Sequence, residues 1–137
     1  MEGIIETLNR VGGLGTLIKL LRIAHLDEPL NTEGPYTFFA PLDEAFGELP
    51  SETMVELLNG GERLTDFLNH HLILGDLTTD ILRDNPLLET LSGNKLLLDE
   101  LDGTLMINSE AAIVQPDISF VDGEIQIIDS VLLPRKE

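Results

Sequence analysis

Tyr36 to Phe46 reads Y-T-F-F-A-P-L-D-E-A-F, and this short run fixes a strand, its end and the start of a helix. Thr37, Phe38 and Phe39 are β-branched or aromatic, and such side chains favour an extended, half-buried backbone. Pro41 lacks the N–H that a continuing ladder needs. Asp43 is placed to accept hydrogen bonds from the free N–H groups of a following helical turn. A chain with this order must fold a strand directly against a helix.

The segments on either side differ in period. Before Tyr36, Ile4, Ile5, Leu8 and Val11 recur at helical spacing up to Gly12-Gly13, and Leu14, Leu17, Ile18 and Leu21 resume it. Two amphipathic helices separated by glycines are expected there, lying on a sheet. Ser51, after Pro50, is a cap for a helix through Leu58 that closes at Gly60-Gly61. Leu64, Phe67, Leu68 and His71 line one face of the next helix, and Thr78 caps a short one through Arg83. Beyond Pro86 the period shortens. Leu87 to Leu91, Lys95 to Asp99, Thr104 to Ile107, Ala111 to Val114 and Glu124 to Val131 are strand candidates, with turns at Ser92-Gly93-Asn94 and Asp102-Gly103. Helices followed by strands predict an α+β domain. No repeat or dividing linker is visible, so a single domain over residues 1–137 is expected. Hydrophobic residues make up 42% of the chain but aromatics only 4%, so its core must be built of Leu, Ile and Val.

Charge and cysteine content remove several function classes. A formal net charge of -17 repels nucleic-acid phosphate and anionic lipid alike, because both are bound through basic patches. The absence of cysteine removes disulfides, thiolate metal sites and thiol catalysis together. No run approaches the roughly 20 apolar residues that span a bilayer. The start of the chain also lacks the basic, apolar and small-residue pattern of a leader.

Further segments agree with the first. Leu68 to Gly75 reads L-N-H-H-L-I-L-G, Ile107 to Ile118 reads I-N-S-E-A-A-I-V-Q-P-D-I, and Gly123 to Pro134 reads G-E-I-Q-I-I-D-S-V-L-L-P. With Thr37 to Phe46, these segments resemble, in order, the signature segments of the fasciclin (FAS1) domain. His71 stands at the family's histidine position. His70 stands where tyrosine is usual, and Gln126 where a histidine is common. The resemblance implies a fasciclin-like fold, with N-terminal helices on a wedge of two β-sheets of about seven strands, the Tyr36 and Glu124 strands being neighbours near the core. It also implies a non-enzymatic adhesion or protein-interaction module that is extracellular, periplasmic or at the cell surface and uses no cofactor. Since export is implied but no leader is present, the chain reads as a mature or excised domain with an added Met1.

Gln115-Pro116-Asp117-Ile118 is the sharpest site candidate. Pro116 favours an exposed turn that presents the Asp117 carboxylate beside the apolar Ile118. The family resemblance implies partner recognition through such an Asp-Ile pair. The same residues also fit a structural role, with Asp117 capping a turn and Ile118 anchoring it. Asp80-Ile81 is a second Asp-Ile pair but lies outside the family's position. The resemblance implies that His71 is a buried residue supporting the fold or a contact surface, which makes Asp117, Ile118 and His71 the partner-binding candidates. Asn108 for a turn, Asp129 for hydrogen bonds near the last strand and Pro134 for ending it are expected to be structural.

Catalytic and metal motifs find little footing. Successive helical residues point about 100° apart, so His70 and His71 do not form the i, i+4 pair that chelates one ion. Gly13-Leu14-Gly15 has no preceding strand and carries Ile18 where a dinucleotide loop needs its third glycine. Asp99 to Gly103 is an acidic hairpin turn rather than a calcium loop. No nucleophile elbow, H-E-x-x-H or phosphate-binding loop is present. The expected partner is another protein, a second copy of the chain among the options. The alternative is a ligand- or cation-binding receptor domain that uses the acidic surface.

Overall fold

The computed structural model describes residues 2–133 of the chain. Helices α1 (Ile4–Val11) and α2 (Gly15–Ile23) open it, divided by Gly12 and Gly13, both at positive φ. A short α3 (Pro29–Thr32) leads into strand β1 (Tyr36–Pro41). Next come α4 (Asp43–Phe46), α5 (Ser51–Leu58), α6 (Gly61–Asn69), β2 (Leu72–Leu74) and α7 (Thr79–Asp84). The last part is all strand: β3 (Leu87–Glu89), β4 (Lys95–Leu101), β5 (Thr104–Ile107), β6 (Ala111–Phe120) and β7 (Gly123–Ile128). This is the expected α+β order.

The seven strands hydrogen-bond in the order β2-β1-β7-β6-β5-β4-β3. β1 and β7 are parallel, with Phe38 opposite Ile125 and Ala40 opposite Ile127, and every other pair is antiparallel. The two halves of the wedge meet at β6, which pairs β5 through Ala111 and Ala112 and runs along β7 for the rest of its length. Alternation along β1 and β7 feeds two cores, since successive strand residues point to opposite faces. Phe38, Ala40, Ile125 and Ile127 pack under the helices with Leu8, Leu17, Leu21, Leu64 and Leu68. On the other face, Phe39 and Ile128 join Leu96, Leu98, Leu105 and Ile107 of the β4–β5 arm and Leu82 of α7. Phe38 and Phe39 are both fully buried, and each stabilises the fold by about 1.5–3 kcal/mol.

Several local expectations are corrected. Asp43 does not cap its own helix; its Oδ1 accepts the Thr16 N–H of α2 at 2.8 Å and so ties α2 to the end of β1. Ser51 is the first residue of α5, after an N-cap Pro50, and neither Pro50 nor Thr78 makes a side-chain cap bond. Pro116 does not begin a free turn. It lies inside β6, where register shifts between Ile113, Gln115 and Ile118 mark bulges, the one place besides an edge where a sheet tolerates proline. Asn108, at φ 54, does form the expected turn, and its Oδ1 accepts the Leu97 N–H at 2.9 Å. Asp129 Oδ1 accepts the Ala112 N–H at 2.8 Å. Pro134 lies outside the described residues.

Candidate functional site

The β6 bulge holds Asp117 at φ 58, which turns its side chain across β7 to the start of α7. Asp117 Oδ1 accepts the Thr79 N–H at 2.8 Å and Gln126 Nε2–H at 2.9 Å. Oδ2 accepts the Thr79 hydroxyl at 2.8 Å. In return the Asp117 N–H donates to Gln126 Oε1 at 2.9 Å, and Gln126 Nε2 also reaches Leu77 O at 3.2 Å. The carboxylate therefore caps α7 from a distant strand, which explains why Thr78 makes no cap bond of its own. Its partial burial acts to raise the pKa, but hydrogen bonds from Gln126 and Thr79 and the nearby Arg83 charge outweigh this and hold it below the usual carboxylate value. Asp117 stays charged and exposed, while Ile118 is half-buried against the core under the helices.

Gln126, fully buried, is the clamp of this arrangement. Beside it on the same face of β7 lies Glu124, whose Oε1 accepts the Ser119 hydroxyl at 2.9 Å and whose buried Oε2 has no hydrogen-bond partner. Opposite Glu124, Thr37 donates its hydroxyl to Gly75 O at 2.7 Å and accepts the Leu77 N–H at 2.8 Å, pinning the loop that carries Asp76. Burial pushes the Glu124 pKa up, the Ser119 hydroxyl works against this, and the Asp76 and Asp117 charges add to the rise. An acid whose folded pKa is raised stabilises the fold only below its unfolded value and loses that contribution as pH rises. Glu124 is thus a cost at neutral pH. Glu124→Gln should raise stability at pH 7 by about 1 kcal/mol, a gain that disappears near pH 4 where Glu124 is itself protonated. Urea titrations of both proteins at the two pH values check this, and equal stabilities at pH 7 contradict it.

His71 sits apart from Asp117 and is fully buried. Nδ1–H donates to Phe67 O at 2.8 Å and Nε2 accepts the Leu132 N–H at 2.9 Å, which fixes the neutral tautomer. Burial drives its pKa down to about 3, against the pull of the Phe67 carbonyl. His71 thus fastens the segment after β7 to the end of α6. His70, also buried, points Nδ1 at Ser92 Oγ, 3.3 Å away, and not towards any ion shared with His71. Among the described residues, no group of three or more His, Asp or Glu side chains is arranged to hold a metal ion. No described helix is long and apolar enough to cross a membrane.

Sequence reasoning singled out Asp117, Ile118 and His71 but missed Thr79, Thr37 and Glu124, which complete the polar face around Asp117. Glu124 and Gln126 alternate with Ile125 and Ile127, and that polar alternation in a buried strand was the available signal.

Known proteins are similar to this chain in sequence or in fold. The fasciclin domain family profile matches residues 12–134. Protein sll1483 of Synechocystis sp. is 33% identical over 121 residues, covering 87% of this chain and 66% of that protein. Protein sll1735 of the same organism is 31% identical over 133 residues, covering 97% and 98%. The solved FAS1 domain pair from the insect cell adhesion molecule fasciclin I superposes on 97% of this chain with a TM-score of 0.79 at 18% identity, and the chain spans about half (51%) of that pair. Sequence match, strand order and helix placement agree: the chain belongs to the fasciclin domain family.

Proposed function

We propose that this chain is a single, non-enzymatic fasciclin domain that mediates protein contact at a cell surface or in an extracellular matrix, with Asp117 and Ile118 as its contact residues and His71 supporting the fold behind them. The observation that carries this is the Asp117 clamp: a charged carboxylate is held rigid on an exposed bulge next to an aliphatic side chain, with Oδ1 filled by two hydrogen bonds and Oδ2, which accepts one, keeping a lone pair for a donor or a cation. A contact group ordered before binding loses little entropy when a partner docks. The insect adhesion molecule with the same fold supports the adhesive reading. Weak single contacts gain strength when modules or molecules are repeated.

Sedimentation velocity over a range of concentrations, with calcium and with a chelator, tests the homophilic form. Concentration-dependent dimers that disappear in Asp117→Asn support it. Loss of dimers with chelator brings the acidic surface into the contact, as in the alternative reading of a cation-binding receptor domain. A monomer throughout rules out homophilic contact and leaves attachment of cells to the immobilised domain as the test.

Asp117→Ala removes the external cap of α7 and should cost about 1–2 kcal/mol in urea unfolding, while Asp117→Asn should cost less because Oδ1 can still accept the Thr79 N–H. If both variants stay folded and cells attach as they do to the native domain, Asp117 is a cap and not a contact.

A further inference from the structure

A groove of about 510 Å³ opens between His70, the β3–β4 arm and Leu133. Its rim is apolar. Leu87 and Leu97 face each other directly across β3 and β4 and are 60% and 57% exposed, and Leu133 is 43% exposed. Lys95, also on the rim, is held only loosely by Glu89, 3.9 Å away.

The floor carries an unused hydrogen-bonding atom. His70 is 2% exposed, and its Nε2 is buried without a partner. The turn beneath it determines what that nitrogen offers. Thr90 Oγ1–H donates to Asn94 O at 3.0 Å, so the 2.7 Å contact between Thr90 and Ser92 is filled by the Ser92 hydroxyl hydrogen. The Ser92 oxygen then accepts Asn94 Nδ2–H at 3.1 Å and, with its remaining lone pair, the hydrogen of His70 Nδ1 at 3.3 Å. The proton is on Nδ1, and Nε2 is a bare acceptor, buried, on a ring that lines the groove. Burial lowers the His70 pKa and outweighs the nearby Glu110 charge, which acts to raise it, so the ring stays neutral at neutral pH.

An orphaned buried acceptor costs about 1–3 kcal/mol that a donor recovers. A ring of exposed leucines above it likewise recovers free energy when covered by an aliphatic group. We propose that this groove is a binding site, distinct from the Asp117 surface, for an aliphatic residue of a peptide, with the peptide N–H donating to His70 Nε2 and its carbonyl accepting from Lys95. An amide is favoured because it presents one donor and one acceptor side by side on an apolar body, matching His70, Lys95 and the leucines. Binding at Nε2 requires the exposed Lys95, Leu87 and Leu133 side chains to move aside and uncover the ring.

The test is an NMR titration with N-acetyl-leucine amide, read on backbone amides and on the histidine ring nitrogens. Saturable shifts at Leu87, Asn94 and Leu97, with a dissociation constant on the order of 1 mM for so small a probe, and movement of the Nε2 resonance on accepting a hydrogen bond, are expected. His70→Phe should weaken binding about three- to tenfold. Leu97→Asp, at an exposed position, should abolish it without disturbing the core. The proposal is overturned if no saturable shift appears at tens of millimolar probe, if either variant binds as the native protein does, or if the proton is found on Nε2. Equal binding of the fully N-methylated probe overturns the role of the N–H, and tighter binding of isoamyl alcohol overturns the peptide assignment in favour of a hydroxyl-bearing ligand.

Discussion

Replacing Gly123 with alanine should remove a large part of the domain's stability. Gly123 begins β7 at φ 149, a backbone region that is strained for any residue with a Cβ, and it lies directly opposite Tyr36 of β1. A Cβ built there overlaps the Tyr36 carbonyl oxygen and crowds the Tyr36 carbonyl carbon and nitrogen as well. These are backbone atoms in a parallel ladder, so no side chain can swing away to relieve the clash. To make room, β1 and β7 must part at the end where Tyr36 N–H donates to Asp122 O at 2.9 Å. That pair carries Phe38 and Ile125 into one core, and on its opposite face Phe39 and Ile128 into the other, with the polar Thr37, Glu124 and Gln126 beside them. The expected loss is about 3–5 kcal/mol, against a total stability of roughly 5–15 kcal/mol for a domain of this kind. Gly103→Ala is the control. Gly103 sits at φ 83 in the β4–β5 hairpin with nothing within 4 Å of its would-be Cβ, so only the backbone penalty of about 1–2 kcal/mol applies. Urea unfolding of both variants isolates the steric part; similar losses in the two would show that the β1–β7 approach is not the constraint.

The local chemistry of this fold was legible, and its long-range chemistry was not. The helical faces of α1, α2 and α6 could be read from spacing because one amphipathic stripe needs only residues three or four apart. β1 and the β4–β5 hairpin were equally plain from Thr37 to Phe39 and from Asp102-Gly103. β2 was missed because Leu72, Ile73 and Leu74 continue directly from a helix and are too few to show a period of two. β6 was ended at Val114 because a proline normally stops a strand, whereas here Pro116 falls in a bulge that lets the strand run on to Phe120. Asp117 stood out as a site candidate, but its partner Thr79 is 38 residues away on another element, and no sequence pattern pairs them. His70 Nε2 could not be found from sequence at all. Its vacancy is the end of a hydrogen-bond chain through Ser92, Thr90 and Asn94 that exists only once the turn has formed.

Acid should weaken the domain through His71 well before most carboxylates titrate. Unfolded, this histidine has the ordinary value near 6.5; folded, burial holds it at about 3. A base with a depressed folded pKa contributes its full stability above the unfolded value and loses it as pH falls towards the folded one, because the unfolded chain then binds the extra proton. The slope approaches 1.36 kcal/mol per pH unit, so between pH 7 and 4.5 the domain should lose about 2.5 kcal/mol from this residue. The structural cause is specific. Nδ1 already gives its hydrogen to Phe67 O, so a second proton can only enter at Nε2, where it displaces the Leu132 N–H and places a charge in the core. Leu132 follows β7 and is itself buried in the cluster that holds Phe39 and Ile128, so protonation loosens the segment that closes the second core. His71→Gln keeps a donor and an acceptor of similar reach and should lower stability at pH 7 by about 1–3 kcal/mol. It should also flatten the pH dependence over that window, leaving only what the other titrating groups contribute. Urea titrations of both proteins at several pH values decide the matter. A native slope that persists unchanged in His71→Gln would place the acid sensitivity elsewhere, and an NMR titration in which His71 protonates near 6.5 would show that the ring is not held neutral by the fold.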